Sequence, residues 1–586
     1  MNYLINFQRF YEHLADVQCQ FIAPTDAPKL WMPTWIAGSY MIREFSKHIT
    51  AVYYQIGQQT FKANKTNKNT FELTHAKTGD DIRVHYEVYC YDLSVRTAFI
   101  DHTRIFGNFS SLLLFLENHH KDTASLQLSV PQSFLNQNPD TLIACGLPHQ
   151  SKQTDEGITY TLPALPAFDY TDYPFEIGTQ VQFEFAPNNQ GKNIRHRFFL
   201  AGRHHANLTR LQADLQKICQ TYITWLGDVP FDDYTFMTMV TGSDYGGLEH
   251  LNSTALVSPR TDMPAMNEPQ IPSADYQRFL GLCSHEYFHA WWVKSVRPDV
   301  MMDNDLQQEG YTPLLWVFEG FTSYIDDLIL LASGVIDKSS YLKLLAAQIN
   351  RYEQTDGRHH QSVAESSFDT WIKLYRPDEN SSNQSVSYYN KGALVALLLD
   401  LTLLEQSAGK YRLFDVIKTF YDKAKHAGGF FGMTTQIMGE VVSSMIGQEV
   451  WQSFYADYVI GTAPLPIADM LAKVHITTDI STTAKPWGMS IDENKFGIKI
   501  KQLHRDSAGS LAGLSANDII IAIDGIKASQ AVLSHAITRQ NHDKKAITVH
   551  AFRRDELMTF YVAHKPTQHQ QVKLSGDGDA WLKFNF

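Results

Sequence analysis

From residue 1 to about 170, apolar and polar positions alternate in short runs such as Ile82-Arg83-Val84-His85-Tyr86-Glu87-Val88-Tyr89, broken by Gly, Asn, Asp and Pro. A period of two places every second side chain on one face, which predicts half-buried strands and a β-sandwich-like unit. Near residue 205 the period becomes helical, with Leu208, Leu211, Leu215 and Ile218 in register. Three further helices are predicted downstream. The first is capped by Ser273 and runs to about Lys294, before Pro298. The second has Thr312 as N-cap, Pro313 at its first position and Gly334 as its stop. The third runs from near Tyr388 to Gly409. After about residue 470 the texture changes again: a threonine-rich stretch and Lys485-Pro486 read as a boundary. Short strands and glycine-punctuated turns follow to about 565. The final residues read as a polar turn and a short apolar tail, Trp581 to Phe586. The expectation is a multidomain α+β chain. Residues 1–170 form a β-rich domain, 171–475 a largely helical one and 480–568 a compact unit, leaving 569–586 as a tail.

Length agrees with several domains, since 586 residues exceed one ordinary hydrophobic core. A net charge of −12 speaks against nucleic acid or an anionic membrane as the main partner, because both reward basic surfaces. The five cysteines are scattered, with no C-x-x-C pair and no disulfide framework. The first residues lack a basic segment followed by an apolar run, so a cytoplasmic location is expected. The longest apolar stretch, 393–404, is interrupted by Asp400 and too short to span a bilayer.

Chemistry concentrates on the predicted helices. His285-Glu286-Tyr287-Phe288-His289 has the H-E-x-x-H pattern. Residues four apart share a helix face, so both imidazoles can reach one metal ion, with Glu286 beside them to hold an attacking water. Two solvated or core-satisfied histidines would produce the same string. A hydrolytic zinc needs a third protein ligand, and Glu319 is the candidate. It sits among Leu314, Leu315, Trp316, Val317, Phe318 and Phe321, where a buried carboxylate requires a partner. The alternative is a Glu on a solvated helix face.

Four motifs carry a resemblance. Trp316-x-x-Glu319-Gly320-Phe321-x-Ser323-Tyr324 resembles the third-ligand helix of the thermolysin-like zinc aminopeptidases. Gly246-Gly247-Leu248-Glu249-His250 resembles the G-x-M-E-N motif of the alanyl aminopeptidases, and Tyr389-Asn390-Lys391-Gly392 their Y-x-K-G motif. The interval from His289 to Glu319 is longer than in that family, and Phe318 stands where an Asn is usual. These departures point to a sister family, the glycyl aminopeptidases that carry a PDZ domain. Trp35-Ile36-Ala37-Gly38-Ser39-Tyr40 resembles that family's W-x-P-G-S-Y signature, with Ala37 replacing Pro, and Tyr91-Asp92-Leu93-Ser94-Val95-Arg96-Thr97 resembles its second β-domain motif. Pro486-Trp487-Gly488-Met489 resembles a PDZ carboxylate-binding loop. Ser507 to Asp518 resembles the bacterial PDZ stretch, with Ala508 and Asn517 replacing Pro and Gly.

The resemblance implies one Zn²⁺ held by His285, His289 and Glu319, with Glu286 as general base and Tyr389 as donor to the developing oxyanion. A core aromatic whose hydroxyl caps backbone is the plain alternative for Tyr389. The resemblance also implies that Glu249, on the Gly246-Gly247 segment, pairs with the substrate's α-amine; a solvent-exposed turn is the alternative there. The expected function is zinc-dependent removal of N-terminal residues, small ones such as Gly or Ala, from peptides with a free N-terminus. A peptide C-terminus is the expected ligand of the PDZ-like unit. The rival readings are a zinc endopeptidase or broad aminopeptidase, and a catalytically weak PDZ-type scaffold. Sequence alone assigns no role to Tyr324 or His250.

Overall fold

The computed structural model describes residues 1–484, 487–565, 568–578 and 581–584. Lys485 and Pro486, and the end of the tail at Phe586, lie outside the described residues. The chain is a multidomain α+β protein with a β-rich N-terminal part, a helical central part and a C-terminal PDZ domain.

Alternation produces the N-terminal sheet as predicted. In Asp81–Tyr89, Ile82, Val84, Tyr86 and Val88 are buried while Asp81, Arg83, His85 and Tyr89 face solvent. This strand lies in an eight-stranded sheet that also contains Asn2–Asn6, Leu14–Ile22 and Thr123–Pro131. Its inner face shares one core with Leu30, Phe71 and Phe115 of a smaller four-stranded sheet. A second large sheet crosses the expected boundary near 170. Phe175–Phe185 pairs through its first half with Arg104–Gly107 and Thr141–Cys145, and through its second half with Arg195–Ala201. Parallel strands Asp233–Thr241 and Ser253–Pro259 follow, and Gly246–Glu249 ends the sheet as an edge strand. The Gly246-Gly247-Leu248-Glu249 segment is therefore a strand and not a turn.

The helices Leu208–Leu226, Ala274–Trp292, Phe321–Ala332 and Asn390–Gln406 pack into one large core under this sheet. The PDZ unit has its own core, built from Trp487, Ile498, Ile520, Val549 and Phe560 among others. There Asn517 takes the left-handed conformation (φ 71°) that a Gly would take, as a short polar side chain permits.

The described part of the expected tail contains a strand. Gln568–Gly576 pairs along its whole length with Ile476–Ala484, so the PDZ unit is held between the two strands of a ribbon. Only Val572 and Leu574 give this segment an apolar alternation; backbone pairing with Ile476–Ala484 completes the strand. The ribbon docks on the helix Lys338–Glu353, where the Asn350 side chain donates to the Val572 carbonyl (3.0 Å) and accepts from its N–H (2.6 Å). Beyond it, Trp581 is buried completely: its indole N–H donates to the Tyr324 hydroxyl (3.0 Å) and to Asp400 (3.2 Å), and Arg412 donates to its carbonyl (2.9 Å). Trp581→Ala should remove this packing and leave a cavity that costs about 3–5 kcal/mol. The denaturation midpoint of the helical unit should fall; an unchanged midpoint would show that the segment contributes nothing to the core.

Candidate metal centre and peptide-binding edge

Local sequence explains how each helix brings its group to the site. Ser273 caps Ala274–Trp292 by accepting from the Tyr276 N–H. Four-residue spacing then turns His285 and His289 the same way, with ring centroids 4.7 Å apart. The next helix starts later than expected. Thr312 accepts from the Leu314 N–H, Pro313 lies in a turn, and the first ordered turns, Trp316–Gly320, are π-helical before the α-helix Phe321–Ala332 begins. The wide turn carries Glu319, the kind of local irregularity that π-turns place at functional sites. Close approach to the third helix accompanies it: a Cβ on Gly320 would lie 2.7 Å from Gly392 Cα. The two glycines let the backbones touch, which draws Glu319 toward Tyr389, the residue preceding Asn390–Gln406.

Glu319 Oε2 lies 3.4 Å from His285 Nε2 and 3.4 Å from His289 Nε2. One ligand atom from each of the three residues falls within 4.8 Å of the others. Burial opposes ionisation of Glu319, yet the two imidazoles hold its carboxyl down at about 2. Both histidines are pushed up despite their own burial, His285 by Asp326 and Glu319 and His289 chiefly by Glu319. The cluster thus attracts positive charge at the point between the three side chains. Two imidazoles and one carboxylate match the ligand set of a catalytic zinc. Asp326 accepts from His285 Nδ1 at 2.9 Å and fixes which nitrogen faces the centre.

Two more carboxylates face the same point. Ligand atoms of Glu249, Glu286 and His289 also lie within 4.8 Å of one another. Burial, opposed by His285 and His289 but reinforced by Glu249 and Glu319, pushes the Glu286 carboxyl up to about 7. Glu249 Oε1 and Glu286 Oε2 are buried and have no hydrogen-bond partner within the protein, which marks them as groups that await a ligand. The edge strand passes so close that a Cβ on Gly247 would sit 2.2 Å from Glu286 Oε1. On the other side, Gly38 (φ +86°) roofs Glu249: a Cβ there would lie 2.5 Å from both carboxylate oxygens. The loop that carries Gly38 is pinned to the central part, where the Thr34 N–H donates to the Leu306 carbonyl (2.8 Å) and the Trp35 indole to Gln308 (2.9 Å).

The structure brings every sequence-selected residue, Gly246, Gly247, Glu249, His285, Glu286, His289, Glu319 and Tyr389, to this cleft. Burial and the Glu319 charge hold the Tyr389 hydroxyl well above its ordinary pKa, so it keeps the proton it would donate. Tyr324 and His250 turn away from the cleft. The Tyr324 hydroxyl donates to Asp400 (2.6 Å), and His250 Nδ1 lies 3.3 Å from Asp172, which also receives the Lys294 ammonium (2.6 Å). Sequence reasoning missed three groups. Asp326 had a signal, because it follows Glu319 by two helical turns on an apolar helix. Tyr375, whose hydroxyl lies 3.2 Å from that of Tyr389, comes from a loop and had none; Arg96, whose Nη2 donates to the Gly247 carbonyl at 3.0 Å, lies inside the Tyr91–Thr97 motif, which gave it no role.

With this geometry in view, comparison with known proteins is informative. A family model described as M61 glycyl aminopeptidase matches residues 278–395, one described as the peptidase M61 N-terminal domain matches 2–179, and a PDZ domain model matches 476–550. Among solved structures, an aminopeptidase N family protein from Idiomarina loihiensis is 34% identical. It aligns over 99% of each chain with a TM-score of 0.89. An M1 zinc metallopeptidase from Deinococcus radiodurans is 14% identical over 79% of this chain and 94% of its own, with a TM-score of 0.49. No curated protein matched. Asp326→Asn should loosen the hold on His285 and weaken metal affinity about 10–100-fold, as judged by competition with a chelator. Unchanged affinity would remove Asp326 from the centre.

Proposed function

The chain belongs to the M61 glycyl aminopeptidase family and is a metalloaminopeptidase, and on that premise we propose that it releases small N-terminal residues, Gly or Ala, from peptides with one zinc ion per chain. One observation carries the exopeptidase assignment: the Glu249 carboxylate lies within 4.8 Å of Glu286 and His289. A substrate ammonium on Glu249 then presents the carbonyl of its own first residue, and no later one, to the centre.

His285, His289 and Glu319 would hold the zinc, which when bound supplies Lewis acidity to the scissile carbonyl. Glu286 takes the proton of the attacking water and returns it to the leaving amine. Tyr389 donates a hydrogen bond to the oxygen on which negative charge develops, with Tyr375 beside it to fix the phenol. Gly246–Glu249, the edge strand of its sheet, receives the peptide backbone alongside it, with Arg96 already donating to the Gly247 carbonyl. The Gly38 roof over Glu249 supports the preference for residues with little side chain.

The proposed division has 1–170 as the N-terminal unit, 171–475 as the catalytic unit, 480–568 as the PDZ-like unit and 569–586 as a C-terminal tail, of which Val572 and Trp581 pack into the catalytic core. The PDZ-like unit would take the C-terminus of an extended peptide along Met489–Asn494, the free edge of its sheet. Pro486 of its binding loop lies outside the described residues. Neither nucleic acid nor a membrane is a proposed partner; among the described residues no helix is long and apolar enough to cross a bilayer. A cytoplasmic location belongs to the same proposal, supported by five cysteines that are all buried and free.

Release of the first residue from Gly-, Ala-, Leu- and Phe-headed peptides tests the reading. Glu286→Gln should lower kcat by about 10²–10⁴-fold and Tyr389→Phe by about 10²–10³-fold. Glu249→Ala should raise KM strongly for free-amine peptides. Cleavage of N-acetylated peptides at the wild-type rate would instead make the enzyme an endopeptidase, and equal rates on Gly and Phe heads would make it a broad aminopeptidase.

A further inference from the structure

The edge strand Gly246–Glu249 orders the site like a ruler. Glu249 stands at the amine end, and Gly247 abuts the Glu286 carboxylate. At Gly246, one step further toward the leaving side, a Cβ would meet Arg96 Nη1 at 3.5 Å. Arg96 comes from the N-terminal unit, and a second guanidinium from that unit, Arg43, lies close enough for the two charges to repel. Burial and this repulsion lower Arg43 to about 10.

Neither arginine has the partner such a charge requires. Among the described residues neither forms an ion pair within 4.0 Å; Asp92 acts on Arg43 only from beyond that distance. Arg43 Nη2 donates to the Ser39 hydroxyl (2.7 Å) and Arg96 Nη2 to the Gly247 carbonyl (3.0 Å), both neutral acceptors. The Nε atoms of both are buried with no hydrogen-bond partner. Two converging, unneutralised guanidiniums in a chain of net charge −12 are costly unless an anion visits them. Tyr375 lies within electrostatic reach of both and touches the Tyr389 hydroxyl, so the pair borders the reaction centre itself.

We propose that Arg96 and Arg43 form a carboxylate subsite for the leaving portion of the substrate, and that the C-terminal carboxylate of a dipeptide or tripeptide is what it binds. This rests on the aminopeptidase reading above. Reach selects that source: three strand positions from Glu249 to Gly246 cover about 10 Å, the extended length of two to three residues. A peptide anchored by its ammonium at Glu249 therefore ends where the guanidiniums are. Planar N–H donors match a carboxylate in two-point geometry, which an amide end cannot reproduce. The enzyme becomes a short-peptide exopeptidase that recognises both ends of its substrate.

The test compares Gly-Ala-Ala with its C-terminal amide, and Gly-Glu amide with Gly-Gln amide, by kcat/KM on the full-length protein. Wild type should favour the free acid over the amide by about tenfold or more, expressed in KM. In Arg96→Ala the acid-to-amide ratio should fall toward one, and Arg96→Lys should retain part of it. Arg43→Ala gives an independent reading of the same ratio if Arg96→Ala folds poorly. Equal wild-type values for acid and amide would overturn the subsite. So would an Arg96→Ala loss that leaves the ratio unchanged, which would make Arg96 only a brace for the strand. A Glu-over-Gln preference without an acid-over-amide preference would overturn the C-terminal source in favour of an acidic side chain. Absence of release from every free-amine peptide would overturn the aminopeptidase reading itself, and the subsite with it.

Discussion

Three buried carboxylates, Glu249, Glu286 and Glu319, converge on two imidazoles, and the rest of the molecule serves to keep them there. Left alone, such a concentration of like charge in a low-dielectric interior would cost several kcal/mol per ion. The histidines offset part of it and hold Glu319 low, while burial and the neighbouring carboxylates drive Glu286 up against them. On the proposed reading, one metal dication and one substrate ammonium would offset the charge of the three glutamates.

Holding the cluster requires elements from distant parts of the chain. The Gly320–Gly392 contact sets the separation of the Glu319 and Tyr389 helices through backbone, where no side chain can relax. Asp326 fixes one imidazole from the same helix that carries Glu319. The Phe175–Phe185 strand and the Gly38 loop join the N-terminal unit to the edge strand, so the roof over Glu249 belongs to a different unit from the metal helix. At the far end, Trp581 packs under the Phe321–Ala332 helix through Tyr324 and Asp400. Tyr324 is thereby explained as part of a buried brace.

What could be read in advance follows from the range of each interaction. His285, Glu286 and His289 are legible because one helical turn relates them. Glu319 and Tyr389 were legible because a carboxylate and a motif tyrosine stand out on apolar helices. The π-turn at Trp316–Gly320 carries no sequence signature, so the helix start at Thr312-Pro313 was misplaced. Gln568–Gly576 has only Val572 and Leu574 as apolar positions, too short an alternation to mark a strand by itself, and its pairing with Ile476–Ala484 completes it. Arg43, Arg96 and Tyr375 reach the cleft from loops far away in sequence, and no local period could place them beside Gly246.

The central claim is that His285, His289 and Glu319 form one preformed metal site. The most direct measurement is the metal content of the purified full-length protein, with anomalous diffraction at the zinc edge to locate the ion. The account predicts one zinc per chain, within bonding distance of those three side chains and lost in Glu319→Ala. Zinc absent from this position in metal-replete crystals, or retained undiminished in Glu319→Ala, would contradict it.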